Sequence, residues 1–66
     1  MYRVVPSPLG GVWLQTENGV VVASGENVHS LKAYMRMAME RREFSPFVYL
    51  YDEFGSRVQF KEYVKN

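Results

Sequence analysis

The sequence contains no cysteine and a single histidine, His29. Without thiols, neither a disulfide nor a thiolate metal site can supplement the core. One imidazole without cysteine partners does not build a structural zinc site. Charge of one sign is not in excess either. The net charge of +1 is too small to steer the chain strongly toward nucleic acid or membrane. The longest aliphatic run, Val20 to Ala23, is far below the roughly 20 residues that span a bilayer. The N-terminal stretch lacks the apolar segment of a secretory signal, so the expected location is the cytoplasm.

Catalytic patterns are equally scarce. Gly10-Gly11 has neither the spacing nor the lysine of a phosphate loop. Ser24, Ser30, His29 and Asp52 supply the letters of a hydrolytic triad, but Ser30 adjoins His29 on a helix, where neighbours do not face each other. The seven carboxylates are scattered, and Glu40 and Glu43 beside Arg41-Arg42 read as a solvated helix face. The expectation is a protein that is not an enzyme and uses no cofactor or metal.

What is present is one short domain, residues 1–66, that is 47% hydrophobic, which argues against disorder. A chain of this size buries only about 60% of its unfolded surface. It therefore relies on packing, oligomerisation or a partner. One tryptophan, five tyrosines and four phenylalanines are more aromatics than one helix can cover.

The stretch Asn27 to Phe44 is the one helix the chain can build. Val28, Leu31, Met35, Ala38 and Met39 fall on one side, with Tyr34 at its border and Lys32, Arg36, Glu40 and Glu43 opposite. Asn27 is the expected N-cap. Arg41 and Arg42 fall in the last turn, where positive charge suits the helix dipole, and Ser45-Pro46 is expected to stop the helix. Met37 points away from the core with Ala33 and offers a small contact patch.

Strand signals occupy the rest. Tyr2 to Val5 is closed by Pro6, and Pro6 to Gly11 is a turn by composition. Val12–Glu17 and Val20–Ser24 flank Asn18-Gly19, a hairpin signal that predicts a two-residue type I′ turn. That turn pairs Glu17 with Val20, Thr16 with Val21, Gln15 with Val22 and Leu14 with Ala23. One face then carries Val12, Leu14, Thr16, Val21 and Ala23; the other carries Trp13, Gln15, Glu17, Val20 and Val22. After the helix, Phe47–Tyr51 and Arg57–Lys61 form a second hairpin around Gly55. A three-residue loop, Glu53 to Gly55, pairs Leu50 with Val58 and Val48 with Phe60 beneath the helix. The residues from Glu62 to Asn66 fray or extend the last strand. The predicted architecture is α+β, an antiparallel sheet in the order β-β-β-α-β-β with a single helix on one face.

Tyr2-Arg3-Val4-Val5-Pro6, then Gly10-Gly11 and nearby Trp13, resembles the opening of a family of very small prokaryotic and phage proteins known only as a domain of unknown function. That family has a Val-Val-Pro…Gly-Gly-Trp pattern, one helix and a final hairpin whose turn carries glycine, as Gly55 does here. Val12 intervenes before Trp13, the final turn is one residue longer, and methionines replace the family's helix alanines. The resemblance implies the same layout and supplies no function.

The aromatic face stands above background. In the three-residue register Phe47, Tyr49 and Tyr51 share a face with Arg57, Gln59 and Lys61, and one helix leaves that side uncovered. With Trp13, Val20 and Val22 of the first hairpin it is the candidate partner-binding surface. Tyrosine and arginine are enriched at protein interfaces, so the expected partner is protein: a second copy in a homodimer, or a larger host protein, as for a phage or mobile-element accessory or inhibitor. The alternative is single-stranded nucleic acid, which stacks on aromatics and pairs its phosphates with cations. Burial of the aromatics by another register is the third possibility.

Overall fold

One turn is used three times. The computed structural model describes residues 1–65, and in it the loops beginning at Ser7, Thr16 and Asp52 share a hydrogen-bond pattern. In each, the first residue's N–H donates to the carbonyl four residues on (Gly11, Val20 and Ser56, at 3.0, 2.9 and 2.9 Å). Its carbonyl accepts from the glycine three residues on (Gly10, Gly19 and Gly55). All three glycines have positive φ, at 96°, 85° and 81°. The first residue's side-chain oxygen also accepts from the loop backbone. Ser7 Oγ takes Leu9 N–H, Thr16 Oγ1 takes Val20 N–H, and Asp52 Oδ1 takes both Phe54 and Ser56 N–H. This is the three-residue hairpin in which a type I turn is followed by a left-handed residue.

The turns join β1 (Tyr2–Pro6) to β2 (Val12–Gln15), β2 to β3 (Val21–Gly25), and β4 (Tyr49–Tyr51) to β5 (Arg57–Gln59). The loop expected as Asn18-Gly19 is thus Glu17 to Gly19. A type I′ turn needs positive φ at Asn18, and the only non-glycine residue with positive φ among those described is Arg42. The longer loop would move every inward side chain of β3 to the other face. A bulge at Val22 restores them: Gln15 faces Val21, yet Leu14 faces Ala23 as expected. The second hairpin keeps the expected register, with Leu50 opposite Val58.

Helix α1 (Val28–Glu40) begins at a capping box, in which Asn27 Oδ1 accepts from Ser30 N–H and Ser30 Oγ accepts from Asn27 N–H. It ends four residues short of the predicted Phe44. Arg41 is the C-cap and Arg42 adopts φ 62°, while Glu43 N–H donates to Ala38 O and Arg42 N–H to Met39 O. These are the two bonds of a Schellman termination, so the helix stops before Ser45-Pro46 can act. Gly25 admits the helix to the end of β3. A Cβ there would lie 2.5 Å from Leu31 N.

The sheet order is β3-β2-β1-β4-β5. Three pairings are antiparallel, whereas β1 and β4 run parallel, with Tyr2 opposite Leu50 and Arg3 opposite Tyr51. The sheet is therefore mixed, where an antiparallel one was expected. The stretch containing α1 is the crossover that a parallel return requires. It carries the chain from β3 over β2 and β1 to β4.

Leu14, Leu31, Met35, Leu50 and Phe60 are almost wholly buried, joined by Val4, Ala23, Tyr63 and Val64. Each large apolar side chain so buried contributes about 1.5–3 kcal/mol. A second departure lies at the C-terminus. Phe60, expected in a strand, starts a short helix, α2 (Phe60–Tyr63). Phe60, Tyr63 and Val64 have the i, i+3, i+4 spacing that puts side chains on one helical face, and all three are buried. The Phe60 ring lies edge-on to Tyr2 and Phe44, at 5.2 and 5.5 Å. The helical layer thus has two members where one was expected. Val48, expected beneath the helix, is 36% exposed, although its carbonyl accepts from Phe60 N–H. Asn66 lies outside the described residues.

Candidate functional site

Strand alternation decides what the uncovered side carries. Val4, Leu14, Ala23 and Leu50 are buried beneath the helical layer, so their strand neighbours face the other way. The open face thus presents Arg3 and Val5 from β1, Trp13 and Gln15 from β2, Tyr49 and Tyr51 from β4, and Arg57 and Gln59 from β5. Ser24 of β3 lies opposite Trp13. Across the sheet, Gln15, Arg3, Tyr51 and Arg57 form one row, since each is the register partner of the next. Val5 and Trp13 form a second row on adjacent strands.

Cations sit on the aromatic rings of this surface. The Arg57 guanidinium lies 4.2 Å from the centroid of Tyr49 and that of Arg3 5.9 Å from Tyr51. Lys61 Nζ, on α2, lies 4.8 Å from Phe47, in the turn that precedes β4. Such pairs are worth about 0.5–1 kcal/mol at exposed sites, enough to orient side chains before a partner arrives. The open-face strand positions include two arginines and no carboxylate, although the whole chain is nearly neutral.

The expected site residues fall into three groups. Phe47, Tyr49, Tyr51, Arg57 and Lys61 are exposed and each takes part in a cation–ring contact, but Phe47 and Lys61, expected in strands, lie before β4 and on α2. Trp13 is half-buried beside Val5. Val20 and Val22 stand apart: Val20 is 59% exposed at the end of the first hairpin loop, and Val22, the bulge residue, packs against the core. The longer loop and the bulge separate these two from the aromatic rows. Arg3 and Val5 were missed, because their place depends on β1 lying beside β4. The alternation of Arg3, Val4 and Val5 was the available signal.

Where β4 turns away at Asp52, β1 runs on with β2 as its one strand partner. A shallow cleft of about 510 Å³ opens there, lined by Arg3, Val4, Val5, Tyr51, Asp52, Glu53 and Gly55. Its carboxylates are occupied: Asp52 holds its own loop, and Glu53 accepts from the Tyr63 hydroxyl at 2.9 Å. Burial first, then that bond to Glu53, raises the Tyr63 pKa well above the usual tyrosine range.

Elsewhere the chemistry-bearing side chains serve structure. Ser30 caps α1 and Asp52 caps a hairpin loop, while His29 is exposed in the first turn of α1. Among the described residues no three His, Asp or Glu side chains gather as metal ligands, and no helix is long and apolar enough to cross a membrane. No protein-family model, curated protein or solved structure matches the chain, so the resemblance of its Val-Val-Pro and Gly-Gly opening rests on those residues alone.

Proposed function

We propose that the chain is a non-enzymatic, cytoplasmic binding module whose open sheet face engages a larger protein bearing acidic and apolar groups. The observation that supports this is the face itself: Trp13, Val5, Tyr49 and Tyr51 lie among Arg3 and Arg57, with no carboxylate in the strand positions. Aromatic residues and arginine carry most of the energy in protein interfaces. A local cation excess selects an anionic surface and speeds its encounter. A homodimer through this face fits less well, because each copy would offer the other the same arginine-bearing face, with no strand carboxylate to pair with it.

The second reading, single-stranded nucleic acid, is supported by the cation–ring pairs of the same face, Arg57 on Tyr49 and Arg3 on Tyr51. Bases stack on rings and on guanidinium planes alike. One experiment separates the two. Wild type, Tyr49→Glu and Arg57→Glu are immobilised and presented with host extract, and each is titrated with mixed-sequence single-stranded DNA and RNA at low salt while tryptophan fluorescence is followed. A protein retained by wild type and released by both substitutions, with no response to the oligonucleotides, is the expected result. Salt-sensitive quenching by the oligonucleotides, lost in both variants, transfers the site to nucleic acid. Retention unaffected by either substitution removes the face from the function.

A further inference from the structure

The two edges of the sheet are built differently. At one edge β5 is three residues long, exposes Arg57 and runs directly into α2. Short, charged edge strands are the usual guard against pairing with another chain. At the other edge β3 is five residues long, and the stretch from Val20 to Gly25 contains no charge and no proline. Among the described residues β3 pairs only with β2, so the row of N–H and C=O groups on its outer side has no strand partner. The bulge at Val22 twists this edge but puts no charge on it.

Beside that edge the main helix is apolar where a helix flank is normally polar. Tyr34 is 43% exposed and lines a groove of about 400 Å³ together with Val21, Val22, Ala23 and Ser24. Met37, one turn further along α1, is 50% exposed, and residues three apart on a helix are neighbours. Unpaired backbone and an apolar helix flank therefore meet along one side of the molecule.

We infer that β3 is a self-association edge, on which two copies pair their β3 strands antiparallel about a twofold axis. A second copy matches both halves of the feature. It brings an equal row of donors and acceptors and an equal Tyr34–Met37 flank. An uncharged strand meets its own copy without like-charge repulsion, which an isologous contact otherwise risks. The two five-stranded sheets become continuous, and the α1 helices close over the junction. For a chain with so small a core, association of this kind adds burial that the monomer lacks. The open faces remain free and lie on the same side of the joined sheet. This inference does not depend on what those faces bind.

Light scattering after gel filtration tests it on wild type, Val21→Lys, Tyr34→Glu and, as a control on the open face, Tyr49→Glu, with circular dichroism confirming that each is folded. Wild type and Tyr49→Glu are expected at twice 7.7 kDa and to dissociate on dilution, whereas Val21→Lys and Tyr34→Glu run at 7.7 kDa. Hydrogen exchange on wild type adds a readout free of substitutions. The amides of β3 gain protection as concentration rises, and those of β5 do not. A wild type at 7.7 kDa at every concentration overturns the inference. So does a dimer that survives either edge substitution, or one abolished by Tyr49→Glu.

Discussion

Arg36, on α1, donates through Nη1 to the backbone carbonyl of Val64 at 2.6 Å. The contact joins the main helix to the residue that closes α2. Without it, the C-terminal turn would be held by Phe60 and Tyr63 and would leave the Val64 carbonyl, on a residue 7% exposed, without its charged donor. A hydrogen bond to a charged group is worth more than one between neutral groups. Arg36→Met keeps most of the apolar stem and removes the donor. It is expected to cost about 1–2 kcal/mol, read as a lower urea midpoint, and to raise hydrogen exchange in residues 60–64 before the strands respond. An unchanged midpoint with unchanged exchange would mean that the side-chain packing alone secures the C-terminus.

Arg42 occupies the left-handed position of the Schellman turn at φ 62°, where an L-residue is disfavoured by about 1–2 kcal/mol relative to the right-handed region and glycine is not. Arg42→Gly is therefore expected to stabilise the protein by about 0.5–1 kcal/mol, after the greater flexibility of glycine in the unfolded chain is deducted. Thermal unfolding measures this directly. A destabilised Arg42→Gly would show that the arginine side chain makes a contribution exceeding the backbone strain.

Tyr63 ties stability to alkaline pH. Its folded-state pKa is raised, by burial and then by the bond to Glu53, so the folded protein holds the phenol proton more tightly than the unfolded chain does. The stabilisation is fully present below the unfolded value of about 10. It is lost as pH rises above that value toward the higher folded one. Tyr63→Phe removes the titration and should flatten the alkaline limb of a stability–pH curve, while an ultraviolet titration of wild type should show a tyrosine ionising above the usual range that is missing from Tyr63→Phe. Parallel alkaline limbs in wild type and Tyr63→Phe would assign the loss to another group.

How far the sequence could be read depended on the range of the interaction. Asn27 and the Leu31–Met35–Ala38 stripe were legible because capping and helical periodicity act within a few residues. The pairing of Leu50 with Val58 was legible because loop length and burial agreed. Leu14 opposite Ala23 was correctly expected for an incorrect reason: a loop one residue longer and a bulge at Val22 cancel. Hairpin arithmetic sees neither, since Asn18-Gly19 points to the two-residue turn and a bulge leaves no mark of its own in the apolar pattern. The parallel contact of β1 with β4 was invisible, because no local pattern says which strand the chain returns to after α1. With it went Arg3 and Val5, the central members of the open face. Period-two reading also concealed α2, since Val58 and Phe60 alternate until Tyr63 and Val64 reveal a helical spacing.

The repeated turn makes three side chains equivalent. Leu9, Asn18 and Phe54 each stand two places after the residue that opens the loop, at a position where the backbone bonds neither require nor shelter a particular side chain. Asparagine there is unremarkable, but Leu9 is 92% and Phe54 85% exposed. Because β1 and β4 are parallel, those two tips leave the same end of the sheet, and Asn18 leaves the opposite one. The fold is indifferent to what the tips carry. They are interchangeable parts, and the chain's polarity from end to end can be rewritten by exchanging a leucine, an asparagine and a phenylalanine without disturbing a single strand.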